Sequence, residues 1–174
     1  MKRCDKLVEV GRRQFLRGSV AAAAALPVAG LVATQAKAAA GGKALLDYPS
    51  AKLGNIADLK ANAPAEVSYP DENAPGVLLK LGKPVEGGVG PDGDIVGFST
   101  VCPHKGFPLT YNADRRTLNC PGHYSVFDCE AGGQQTWGQA TQNLPQYMLR
   151  VDDKGDIYAE GVDELLYGRL SNVL

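Results

Sequence analysis

Both histidines of the 174-residue chain fall in one stretch, Val101 to Asp128, and each follows a cysteine at short range. The first box, V-C-P-H-K-G-F-P-L, holds Cys102 and His104; the second, C-P-G-H-Y-S-V-F-D, holds Cys120 and His123. Fifteen residues separate His104 from Cys120. Two Cys and two His, split into two short boxes with a turn residue inside each, make a metal site. Whatever scaffold the rest of the chain builds, it must bring these two loops together.

The pairing within the boxes narrows the metal. Zinc sites usually draw Cys pairs from C-x₂₋₄-C and His pairs from H-x₃₋₅-H. Here each box supplies one Cys and one His, as C-x-H and C-x-x-H. That suits a two-iron cluster in which one iron takes two thiolates and the other two imidazoles, the Rieske [2Fe–2S] arrangement. Gly106 and Gly122 would let backbone N–H groups approach the inorganic sulfides, and Pro103 and Pro121 stiffen the loops. A Cys₂His₂ zinc knuckle with no redox role is the alternative, and absence of colour would expose it.

C-P-H-K-G and C-P-G-H-Y-S resemble the two boxes of the Rieske family. The resemblance implies that Cys102 and Cys120 hold the inner iron, His104 and His123 the outer iron, and that Ser125 bonds a bridging sulfide. Three positions depart from the quinol-oxidising members. Phe107 and Gly122 stand where those members carry a disulfide, Phe127 stands where a Tyr donates to a thiolate, and Lys105 replaces a Leu. Fewer hydrogen bonds to sulfur imply a potential below the top of the roughly −150 to +300 mV Rieske range.

At the N-terminus, Gly11-Arg12-Arg13-Gln14-Phe15-Leu16-Arg17 reads as a twin-arginine box, followed by an Ala-rich run and an Ala36-Lys37-Ala38 cleavage site. Residues 1–38 are thus a Tat signal segment and 39–174 a single domain, exported to the periplasm. A membrane tether results if the segment is retained, although Pro27 and Gly30 interrupt the run. The chain has 18 basic and 19 acidic residues; residues 1–38 take seven and two of them, leaving eleven against seventeen, near −6. That balance argues against nucleic acid as a partner.

Beyond the signal, short apolar runs punctuated by 21 Gly and 11 Pro indicate an all-β domain. Strands are predicted at 66–69, 76–81, 95–100, 117–119, 125–128, 148–151 and 157–160, with turns at 86–94 and 152–156 and a helical turn over 163–170. Ser125, Phe127 and Cys129 alternate onto one face, so Cys129 is read as a small core residue rather than a functional thiol. Trp137 lies in a third, proline-containing loop. It is assigned to cluster shielding or partner contact, although a lone tryptophan in a β domain is more often core. The resemblance implies an antiparallel β-sandwich base with an inserted cluster-binding subdomain at about 100–145.

No nucleophile set or phosphate-binding glycine loop is present, because both histidines are committed as ligands. The chain therefore reads as an electron carrier with no substrate chemistry of its own. From A-P-G-V-L-L-K-L-G-K-P-V-E-G-G-V-G-P-D-G-D-I-V-G-F-S-T through both boxes it is similar to arsenite oxidase small subunits. That similarity implies electron flow from a [3Fe–4S] cluster in a large molybdopterin-containing subunit to a cytochrome c or similar acceptor. The Rieske subunit of a quinol–cytochrome c oxidoreductase is the alternative; the missing disulfide and tyrosine weigh against it.

Overall fold

The computed structural model describes residues 48–168, which form ten β-strands and one 3-10 turn, Ile56–Asp58. Strands β1 (Ala51–Asn55), β9 (Tyr147–Val151) and β10 (Asp156–Val162) make an antiparallel sheet in the order β1-β10-β9. Strands β2 (Pro64–Ser68), β3 (Pro75–Lys80) and β4 (Ile95–Ser99) make a second antiparallel sheet in chain order. Strands β5 (Thr110–Asn112), β6 (Thr117–Asn119), β7 (Val126–Asp128) and β8 (Gln134–Trp137) form a third, antiparallel meander. The all-β architecture of antiparallel sheets expected from the sequence is the one observed.

Strands β3 and β4 are the middle layer. Val77, Leu78, Leu79, Ile95, Val96 and Phe98 are all buried, so neither strand alternates apolar with polar residues. A strand reads this way when both its faces are covered. On one side Leu78 and Ile95 meet Ile157, with Leu53, Leu149 and Val151 packed around them. On the other, Val77, Leu79, Val96 and Phe98 meet Cys102, Leu118, Cys120, Phe127 and Cys129. Each large side chain buried here stabilises the fold by about 1.5–3 kcal/mol. The two Cys/His loops are thereby anchored to this core through Cys102 and Cys120.

Further links tie the third sheet to the base. Ser99 N–H donates to the Pro145 carbonyl at 3.0 Å and Leu109 N–H to that of Thr100 at 2.8 Å. Glu130 accepts from Lys83 at 2.8 Å and from Arg116 at 2.6 Å, joining the turn after β3 to the β5–β8 meander. Those two cations, Lys83 foremost, hold the Glu130 carboxyl below the usual glutamate range.

Tyr147 lies over Gly97 of β4 and Gly76 of β3. A Cβ on Gly97 would stand 2.8 Å from the ring, and one on Gly76 would overlap the hydroxyl. The ring is 2% exposed, and its Oη is buried without a hydrogen-bond partner. Burial also raises its pKa far above the tyrosine value. Tyr147→Phe is therefore expected to leave stability unchanged or raise it by up to about 1 kcal/mol, read by denaturant unfolding, because an unpaired buried hydroxyl carries a desolvation cost. A loss larger than that would reveal a partner for the hydroxyl.

All seven predicted strands are present, with ends within a few residues of those expected. Strands β1, β5 and β8 come in addition. The helical turn over 163–170 is not formed through residue 168, where the chain runs in bends and a turn; residues 169–170 lie outside the described residues. Asp163 is held back against the start of β9 instead: its carboxylate accepts from Gln146 N–H at 2.7 Å and its own N–H donates to the Gln146 carbonyl at 3.1 Å. The twin-arginine segment, 1–38, also lies outside the described residues. Among the described residues no helix is long and apolar enough to cross a membrane.

Candidate metal centre

The two boxes sit at one end of the meander as facing loops. In the first, Cys102 N–H donates to the Phe107 carbonyl and Gly106 N–H to the Cys102 carbonyl, both at 2.8 Å, so the loop closes on itself around His104. Gly106 makes that closure at φ +71°, a left-handed conformation that favours glycine. In the second, Cys120 N–H donates to the Ser125 carbonyl at 2.8 Å, and Tyr124 carries φ +59°. Val101 bridges to Pro108 and β6 ends at Asn119, so rigid pairing leads into each loop.

All four candidate ligands come together as two pairs. Cys102 and Cys120 are buried and within hydrogen-bonding reach of each other, on the floor formed by Leu118, Phe127 and Cys129. His104 and His123 form the other pair, with ring centroids 4.8 Å apart and planes at 75°. Among the described residues no three His, Cys, Asp or Glu side chains group as ligands of one ion. A thiol pair beside an imidazole pair is the donor set of a two-iron unit.

Further observations fit a cluster between the pairs. The buried Nδ1 of His104 has no hydrogen-bond partner, which a metal ion would supply. Burial pushes the Cys102 thiol up, while the backbone N–H groups of His104 and Lys105 point at its sulfur and favour the thiolate. Cys129, by contrast, is buried in the core and pushed up to about 12, first by burial and then by Asp128, and is inert at neutral pH.

Ser125 does more than the sequence suggested. Its hydroxyl, fully buried, accepts from Gln139 N–H at 3.1 Å and Ala140 N–H at 3.0 Å. With both lone pairs engaged, only its O–H remains to donate. Ser125→Ala is thus expected to lower the reduction potential by removing a donor to sulfide, and also to cost about 1–3 kcal/mol by orphaning two amides. Redox titration and chemical unfolding read the two effects separately, and an unchanged potential would remove the assigned role.

The glycines have neighbours the sequence did not disclose. A Cβ on Gly122 would meet the Phe107 ring at 2.8–3.1 Å, and one on Gly106 would meet the Tyr167 ring, with Cδ1 at 2.8 Å. At both glycines an aromatic ring occupies the place where a side chain would go. Phe107 also packs edge-on against His123, centroids 5.8 Å apart. Trp137 is 71% exposed on β8, outside the core, and Tyr124 beside His123 is exposed to the same extent.

A Rieske [2Fe–2S] domain model matches residues 50–148. The iodate reductase subunit IdrB of Denitromonas iodatirespirans is 42% identical over 168 residues, covering 94% of this chain and 86% of that one. The cytochrome bc1 complex Rieske iron–sulfur subunit of Corynebacterium efficiens is 37% identical over 70 residues, 40% of this chain and 17% of that one. Among solved structures, the soluble domain of Rieske protein II from Sulfolobus acidocaldarius superposes with TM-score 0.59 at 28% identity, over 66% of this chain and 78% of that one. The chain belongs to the Rieske [2Fe–2S] family, and its cofactor is a Rieske-type cluster.

Proposed function

We propose that this chain is the electron-transfer subunit of an exported oxyanion oxidoreductase, with Cys102 and Cys120 holding the inner iron and His104 and His123 the outer one. The observation that carries this is the paired donor set at the tip, with the His104 and His123 rings 4.8 Å apart and His123 exposed. A [2Fe–2S] cluster bound there stores and releases one electron at a time. The buried floor of Leu118 and Phe127 keeps water from the thiolate side. Ser125 has its O–H free to donate and would hold a cluster sulfide, and His104 and His123 would hold the iron nearer the surface.

The surface around the tip supports a protein partner rather than a small substrate. Phe107, Tyr124 and Trp137 are exposed there, and the box residues 101–108, 120–125 and 136–142 carry one charge, Lys105. Exposed aromatics with few charges match the core of a protein–protein interface. The partner in this reading is a large molybdopterin-containing subunit. On that subunit arsenite takes up the oxygen of one water and becomes arsenate, releasing two protons to solvent and two electrons that leave singly through this chain to a cytochrome c or similar acceptor. The likeness to iodate reductase subunits favours a second reading, in which electrons flow the other way and iodate is reduced.

EPR of the purified native complex decides between them. Arsenite as sole reductant raises the reduced Rieske signal if the arsenite reading holds. Iodate added to dithionite-reduced complex abolishes it if the second does. A signal that responds to neither, but to quinol, would overturn both substrates while leaving the carrier role. Absence of any such signal in iron-replete protein would overturn the assignment of Cys102, Cys120, His104 and His123 as the ligands.

A further inference from the structure

After β10 the chain returns to the metal end. Asp163 is tied to Gln146 by two hydrogen bonds, and Gln142 Nε2 donates to the Leu165 carbonyl at 3.1 Å. Leu166 is buried at 5% exposure. The following ring, Tyr167, lies against Gly106, where a Cβ would stand 2.8 Å from Cδ1 and 3.2 Å from Cζ. Gly106 is the residue through which the first ligand loop turns back on Cys102. Tyr167 lies beyond the family-matched region, which ends at residue 148, and neither ligand box predicts it.

We propose that Tyr167 is a positioning residue: its ring closes the outer side of the Gly106 turn and holds His104 beside His123, making the C-terminal segment a strap across the first ligand loop. The inference rests on the proposed ligation by His104. The contacting atoms are ring carbons, so bulk and planarity matter and the hydroxyl does not. Tyr167 is 44% exposed and Leu165, on the same segment, 54%; the three atoms nearest a Cβ on the turn glycine all belong to Tyr167.

The test uses the full chain as purified, in Tyr167→Ala, Tyr167→Phe, Tyr167→Leu and Leu165→Ala forms. Amide exchange at Gly106 is read whatever metal the chain carries; the EPR line shape and reduction potential are read on the reduced cluster. Tyr167→Ala is expected to exchange roughly tenfold faster at Gly106, with a shifted potential and altered g-values. Tyr167→Phe and Leu165→Ala should match the parent, with Tyr167→Leu between. Parent-like exchange and spectra in Tyr167→Ala, or equal effects in the Phe and Ala forms, would overturn the strap. Faster exchange in a chain that shows no Rieske signal in any form would instead overturn the ligation reading and leave the strap standing.

Discussion

Gly138→Ala is expected to cost roughly 3 kcal/mol or more and to leave a protein that does not retain iron. Two independent penalties combine there. Gly138 has φ +99°, which costs an L-residue about 1–2 kcal/mol. Its added Cβ would also stand 2.5 Å from Ser125 N and 2.7 Å from the Tyr124 carbonyl oxygen, and closer still to Ser125 Cα. These are backbone atoms of the second ligand loop, so no side-chain rotation relieves the overlap. The loop must move, and with it the amides of Gln139 and Ala140 that Ser125 accepts from. Gly82→Ala separates the terms: Gly82 has φ +76° but nothing within 4 Å of its Cβ position. That control should lose only about 1–2 kcal/mol and keep its iron. Denaturant unfolding and iron analysis read both variants; equal losses would mean that the approach of Gly138 to Ser125 carries no weight.

How far the sequence disclosed the site depended on whether residue identity or distant geometry carried the signal. The ligand boxes were legible because two histidines, each near a cysteine, leave little else for a metal to bind. Strands β3 and β4 were legible because continuous apolar runs bounded by Gly and Pro mark a layer covered on both faces. β8 was not. Gln134-Gln135-Thr136-Trp137 is polar, and its extended form comes from pairing with β7, Phe127 opposite Gln135 and Val126 opposite Trp137. The three-residue β5 likewise depends on its partner β6. The helical turn expected over 163–170 yielded, through residue 168, to a tertiary tie between Asp163 and Gln146 that no local propensity encodes. The same limit hid the second role of Ser125 and the ring of Tyr167 on Gly106. In each case the partner is non-local, and short-range pattern carries no trace of it.

Phe107→Cys with Gly122→Cys is expected to yield a disulfide between the two ligand loops, and the double variant should behave better than one of its single parents. In the native chain the Phe107 ring occupies the space where a Gly122 side chain would go, 2.8–3.1 Å from its Cβ position. Gly122→Cys alone therefore collides with the ring and should destabilise by about 1–3 kcal/mol. Phe107→Cys alone removes that ring and its edge contact with His123, leaving a gap. Together the two changes vacate the space and fill it with a pair of thiols on facing loops, so the effects couple rather than add. Closing a loop of about 15 residues contributes up to about 3 kcal/mol. In oxidised, folded protein the introduced thiols should be unreactive toward a thiol reagent until reductant is added, while Cys129 remains protected by burial in both states. If the double variant stays fully thiol-reactive, the loops do not face each other as the Phe107–Gly122 contact requires. If it is protected yet no more stable than Gly122→Cys alone, the disulfide carries strain as large as the collision it relieves, and the two positions are facing but not spaced for a bridge.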